Sequence, residues 1–159
     1  MEILKSGLFW SFMGIAISTI LAGIGSAVGV RLAGEAAAGV ITEDPDKFGQ
    51  ALLLQALPGT QGIYGFIIAF LIMLKIGVFG GLADVSLSQG MSIFIASLPI
   101  GIVGLFSGIY QGRVSAAGMG IIAKRPEAGG KAMMFPALVE TYAILALLVS
   151  FLMLLAIQI

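Results

Sequence analysis

The chain has no cysteine and no histidine. Without cysteine it forms no disulfide, offers no thiolate nucleophile and holds no thiolate-ligated metal. Without histidine it lacks the usual general base near neutral pH and the commonest ligand of transition metals. Charge is scarce as well, at 10% of the residues against about 25% in typical soluble domains. The eight basic and eight acidic residues cancel, and the basic ones are scattered rather than clustered, so nucleic acid is not an expected partner. There is also no GxxxxGK[ST] sequence, which removes P-loop nucleotide hydrolysis.

Apolar residues fill the space, at 59% of the chain against roughly 45–50% in ordinary domains. Glycine is frequent too, with 23 in 159 residues, about twice its usual share of roughly 7%. So few polar groups cannot cover a water-facing surface, and the composition is that of an all-α membrane protein. Four segments are long and apolar enough to span a bilayer: roughly 8–40, 50–76, 88–122 and 132–158. Between them lie "TEDPDKFG" at 42–49, "GVFGGLADVSLSQG" at 77–90 and "AKRPEAGGK" at 123–131, all with turn chemistry. The first segment, with Lys5 ahead and small residues near 22–27, has features of a signal peptide. Its second half belongs to an internal repeat, which favours a first spanning helix.

Sliding the chain by about 81 positions aligns Ser26 with Ser107, Gly39 with Gly120, Pro45 with Pro126, Thr60 with Thr141 and Phe70 with Phe151. The reading is two tandem helical hairpins, 1–80 and 81–159, in the same membrane orientation and together one membrane domain. Basic residues concentrate around the first and third loops (Arg31, Lys47, Arg113, Lys124, Arg125, Lys131). That excess predicts loops 42–49 and 123–131 in the cytoplasm and both termini outside. Small residues recur at Gly14, Ser18, Ala22, Ser26, Gly29, Ala33 and Ala37, and again at Ser97, Gly101, Gly104, Gly108, Gly112 and Ala116. Spacings of three and four put each set on one helix face. The bland reading is a packing face within one bundle. The length of the stripes, on equivalent helices of both copies, favours a homo-oligomeric ring.

One carboxylate, Glu140, stands inside the apolar fourth segment, and its repeat partner is Gly59. An ionised group at a helix centre costs about 2.5–3.5 kcal/mol on insertion scales and is a functional hypothesis by default. In the second segment Leu57, Thr60, Gln61 and Tyr64 share one face, with Pro58 among them to free nearby carbonyls. Gln111 stands in the third segment, and Thr141 and Tyr142 follow Glu140. Taken singly, these polar groups read as interhelical glue at about 0.6 kcal/mol each. Taken together, one carboxylate with neutral hard oxygens balances a monovalent ion, either Na⁺ or a proton on Glu140. Ca²⁺ takes six to eight oxygens with several carboxylates among them, which this set does not supply. The amides favour Na⁺, since a proton needs no coordination shell.

The stretches "GIGSAVGVRLAGEAAAG" (23–39), "ALPGTQGIYGF" (56–66), "SGIYQGR" (107–113) and "VETYAIL" (139–145) carry a resemblance. Over nearly its whole length the chain resembles the membrane-ring proteolipids of rotary V-type (V/A-type) ATPases, duplicated relatives of the F-type ring proteolipid. It looks closest to their sodium-translocating bacterial members. The resemblance implies that Glu140 is the ion carboxylate and that Thr60, Gln61 and Gln111 give side-chain oxygens. Leu57 would give its backbone carbonyl, and Tyr64 would hold Glu140 closed. It implies further copies of the chain in a ring, a stator subunit with an arginine, central-stalk subunits and surrounding lipid as partners. Competing expectations are a proton-carrying ring of the same fold, a four-helix cation or drug antiporter, and a channel-like assembly. The antiporter would have no tandem repeat and would line its pocket with aromatics. The channel would leave the Gln and Thr groups unexplained.

Overall fold

The computed structural model describes residues 3–159, so the first two residues of the expected first hairpin lie outside the described residues. Among the described residues the chain is helix and loop with no strand. Helix α1 runs Gly7–Glu43 and starts at Ser6, whose Oγ accepts the Phe9 N–H at 3.4 Å. It ends because Pro45 follows: Asp44 is pushed to extended backbone (φ −146°, ψ 94°), as a residue before proline tends to be. The equivalent stop recurs 81 residues on, where Arg125 (φ −143°, ψ 73°) precedes Pro126.

The second span is α2 (Phe48–Ala56), a tight 3₁₀ turn at Leu57–Gly59, and α3 (Thr60–Lys75). Pro58 sits in the pinched turn, the place where a residue without an N–H is least costly. A loop turns at Gly77 and Gly81, whose φ values of 74° and 117° suit glycine alone. Helix α4 (Leu87–Lys124) opens with a capping box in which Ser86 N–H donates to Gln89 Oε1 at 2.8 Å and Ser86 Oγ accepts from Gln89 N–H. Helix α5 (Gly129–Ala156) completes four spans, which match the four expected segments.

The two small-residue stripes meet each other inside one chain. A Cβ placed on Gly25 would lie 2.6 Å from the Gly104 oxygen, and one on Gly108 would lie 2.6 Å from the Gly25 carbonyl carbon. Gly25 and Gly108 therefore bring the backbones of α1 and α4 into contact, the kind of packing that associates helices where lipid removes the hydrophobic drive. This corrects part of the stripe's interpretation, because packing within one chain already accounts for it. Ala116 is another correction: it is only half-buried, and Ser115 carries the stripe on its side. Ser11 and Ser18 satisfy their hydroxyls on the carbonyls of Gly7 and Gly14, each at 3.0 Å.

Bulkier side chains close the two ends of the bundle. Ile68, Ile72, Ile93, Ile100 and Leu154 fill one end, and Leu54, Met119 and Ile122 the other. Pro99 lies inside α4 without an N–H of its own, and the next N–H, that of Ile100, donates to Ser150 Oγ on α5 at 3.1 Å. Loops one and three lie at the same end, as parallel hairpins require. Lys47 Nζ donates to the Ala123 carbonyl at 2.8 Å, and Gln50 Nε2 to the Pro126 carbonyl at 3.2 Å. The Lys47 hydrogen bond holds the exposed Asp44 carboxyl below its usual pKa of 3.8.

Candidate functional site

The pinched turn sets the first half of the site. It ends α2 at Ala56 and restarts the helix at Thr60, so the Leu57 carbonyl accepts from both the Thr60 N–H and, at 3.1 Å, the Thr60 hydroxyl. Thr60 Oγ1 also lies 3.5 Å from Gln61 Oε1. Leu57 O, Thr60 Oγ1 and Gln61 Oε1 thus form a compact group of neutral oxygens.

From Gln61 the chain of contacts crosses to α4 and then α5. Gln61 is fully buried, and its Nε2 donates to Gln111 Oε1 and, at 3.1 Å, to Ser107 Oγ. Gln111, also fully buried, donates through Nε2 to the Pro136 carbonyl at 3.1 Å and to Glu140 Oε2 at 3.4 Å. The Tyr64 hydroxyl donates to Glu140 Oε1 at 2.6 Å, so both carboxylate oxygens have a donor. All six residues singled out from the sequence therefore fall in one connected cluster at the seam between the hairpins. The first hairpin brings Leu57, Thr60, Gln61 and Tyr64, and the second brings Gln111 and Glu140.

In this arrangement Gln111 turns its amide nitrogen to Glu140 and its oxygen to Gln61. Offering that oxygen to a cation requires rotation of the terminal amide, a soft torsion. Glu140 is half-buried, open on the outward side of α5, while the amides behind it are closed off. Among the described residues no three acidic side chains gather at one place, so a carboxylate cage for a divalent ion is not formed.

Two contributors escaped the sequence reading. Ser107 accepts from Gln61 and donates to the Val139 carbonyl at 3.2 Å, and Pro136 gives a backbone carbonyl. Ser107 stands four residues before Gln111, on the same helix face, and that spacing was the available signal. Thr141 and Tyr142 are not part of the cluster. Thr141 bonds back to the Leu138 carbonyl at 2.7 Å, and Tyr142 is 67% exposed.

The equivalent place in the first hairpin is apolar. A Cβ on Gly59, the repeat partner of Glu140, would lie 3.6 Å from Val30 Cγ2. Val30 in turn is the repeat partner of Gln111. Carboxylate and amide are thus both replaced at two positions that still neighbour each other.

Comparison with known proteins agrees with the repeat. The chain matches the ATP synthase subunit-C family twice, over residues 13–72 and 94–153, segments offset by the same 81 positions. It is 54% identical over 151 residues to the V-type sodium ATPase subunit K of Enterococcus hirae, covering 95% of this chain and 94% of that one. It is 42% identical over 142 residues to the A-type ATP synthase subunit K of Methanocaldococcus jannaschii, covering 89% of this chain and 60% of the relative. To the V-type proton ATPase 16 kDa proteolipid subunit of Chrysotila carterae it is 32% identical over 97 residues, covering 60% of this chain and 59% of the relative. Four spanning helices, an 81-residue duplication and two matches to one two-helix family have a single reading: the chain belongs to the ATP synthase subunit-C family, with its unit present twice in tandem.

Proposed function

We propose that the chain is the membrane rotor-ring subunit of a V-type rotary ATPase, carrying Na⁺ across the membrane on Glu140 as the ring turns. One observation carries the reading. A single membrane carboxylate is held by Tyr64 and Gln111, with Leu57, Thr60 and Gln61 oxygens close by, in a chain 54% identical to a sodium ATPase subunit K.

Leu57, Thr60, Gln61, Gln111 and Glu140 would contact the ion, and Tyr64 would keep the carboxylate turned inward. Loading neutralises Glu140, so the subunit meets lipid without a bare charge. An arginine on a stator subunit then competes for the carboxylate and releases the ion. Moving one charge against 100 mV costs about 2.3 kcal/mol, which hydrolysis of ATP by other subunits supplies. The end bearing loops 42–49 and 123–131 faces the cytoplasm and the central stalk, and both termini lie outside. Each hairpin, 1–80 and 81–159, contributes part of the site, and only the second contributes a carboxylate.

A proton-carrying ring is the second reading, since similar proteins are named proton ATPase subunits. The buried pair Gln61 and Gln111 favours Na⁺, because a proton needs one donor and one acceptor and no shell of oxygens. Carbodiimide labelling of Glu140 over a range of Na⁺ and pH separates the two. Protection by Na⁺ at a pH where the carboxyl reacts is the expected result, and absence of protection there would reject the sodium site. Gln61→Ala should weaken protection with the ring still assembled; a ring that falls apart would assign Gln61 to packing instead.

A further inference from the structure

A cleft of about 220 Å³ opens on the outer side of α4 and α5, lined by Ile102, Val103, Phe106, Ser107, Tyr110, Val139 and Tyr142. Its aromatic residues are among the more exposed in the chain: Phe106 and Tyr110 at 50% and Tyr142 at 67%. Shifted back by the 81-residue repeat, Ile102 becomes the half-buried Leu21, and the other six positions become Ala22, Gly25, Ser26, Gly29, Pro58 and Gln61, all buried. Those residues form the groove that receives α4 of the same chain. Gly25 lies against Gly104 and Leu105, Gly29 against Gly108, and Gln61 is bonded to Ser107 and Gln111. The first hairpin's groove is filled by the second hairpin. The second hairpin presents the equivalent groove outward.

We propose that this outward groove seats the first hairpin of the next copy, in the register set by the seam within each chain. The inference rests on the ring assembly proposed above. The α4 face that fills the first groove contains Gly101, Leu105, Gly108 and Gly112, and its counterpart on α1 is Ile20, Ile24, Ala27 and Arg31. All four are exposed. At 3.6 residues per turn they lie on the side of α1 opposite Ala22, Gly25 and Gly29. Phe106 then faces Ile24 of the next copy, Tyr110 faces Ala27 and Arg31, and Tyr142 faces Val30. Tyr110 already has its own Arg113 guanidinium 5.9 Å from the ring centre, and this register brings a second guanidinium to it.

The two seams differ in width. Within a chain, glycine on glycine allows backbone contact; between chains, Phe106 and Tyr110 stand where Gly25 and Gly29 stood. Copies are therefore spaced more widely than the two hairpins of one copy, and the spacing alternates around the ring.

The absence of native cysteine makes a direct test available. The double variant Ile24→Cys/Phe106→Cys, oxidised in membranes, should give a covalent ladder rising to the full ring on a non-reducing gel. Val30→Cys/Tyr142→Cys should do the same, and each single variant should give none. The pair Ile20→Cys/Tyr110→Cys is offset by two to three turns, roughly 10–16 Å, and should stay unlinked. No ladder from either expected pair, or a ladder from the offset pair, in a ring of unchanged native mass overturns the register and leaves the ring standing. A wild-type chain with the native mass of a monomer would overturn the ring itself and this interface with it.

Discussion

Replacing Tyr64 with Phe removes one atom from the site and leaves the ring packing in place. The hydroxyl donates to Glu140 Oε1 at 2.6 Å, a length typical of a hydrogen bond to an ionised acceptor. Such bonds contribute about 1.5–3 kcal/mol. Tyr64 and Glu140 are both half-buried, so water can partly replace the lost donor and the lower half of that range applies. A loss of about 1.5–2 kcal/mol is roughly a ten- to thirty-fold change in an equilibrium constant. It should fall on ion occupancy, because the bond keeps the carboxylate turned towards Gln111 and away from the open side of α5.

The assay is carbodiimide labelling of Glu140 as a function of Na⁺ at fixed pH. The Na⁺ concentration giving half-protection should rise roughly ten- to thirty-fold, with full protection still reached and the native mass of the ring unchanged. Tyr142→Phe is the control, since that side chain is two residues from Glu140 yet faces outward. A midpoint for Tyr64→Phe within about two-fold of wild type would refute the reasoning, because a bond worth about 1.5 kcal/mol cannot vanish so quietly.

Gly108→Ala should lower the thermal midpoint of the assembled protein, since the new Cβ would stand 2.6 Å from the Gly25 backbone; overpacking of this kind costs about 1–3 kcal/mol. Gly120→Ala, with nothing within 4 Å, should leave the midpoint where it is. Ser150→Ala removes an interhelical acceptor from the Ile100 N–H and should cost about 0.5–1.5 kcal/mol, read as faster hydrogen exchange at that amide; unchanged exchange would mean the bond matters little. Gly59→Glu should add a carboxylate that carbodiimide labels without regard to Na⁺, since Val30 stands where an amide is needed. Na⁺-dependent protection at position 59, read by mass spectrometry of the labelled peptide, would contradict that account.

Long apolar runs and a fixed repeat are properties of linear order, and they made the four spans legible. The cluster was legible for a related reason: Leu57, Thr60, Gln61 and Tyr64 follow helical spacing, and a lone carboxylate in an apolar helix demands partners. Pro136 was hidden because its contribution is a carbonyl, which every residue has and no sequence marks. Ser107 was hidden because a serine beside the glycines of α4 bears no sign of a polar partner until its neighbours are known. Thr141 and Tyr142, the polar residues that follow Glu140, stand outside the cluster. Adjacent positions on a helix point about 100° apart, so residues beside Glu140 in sequence face away from its site. The glycine stripes announced close packing correctly, yet only the folded arrangement could show that each chain supplies both faces.

The seam between hairpins explains why duplication left one carboxylate. The cluster draws on both hairpins, so in the register proposed above its equivalent falls between chains and takes Leu138, Thr141, Tyr142 and Leu145 from one copy. Val30 and Gly59 come from the next. Of the side-chain donors only the threonine has a counterpart there, beside the Leu138 carbonyl. Losing the carboxylate alone would leave a glutamine at position 30, half-buried within one chain, without its partner, and an amide left unpaired in an interface costs about 1–3 kcal/mol. Loss of both groups together, leaving Gly59 beside Val30, removes the charge without leaving an orphan. The consequence reaches the ring as a machine. With one ionisable site per four helices, a full turn moves half the charge of an unduplicated ring with the same number of helices. At about 2.3 kcal/mol per charge per 100 mV, equal work per turn then balances twice the membrane potential.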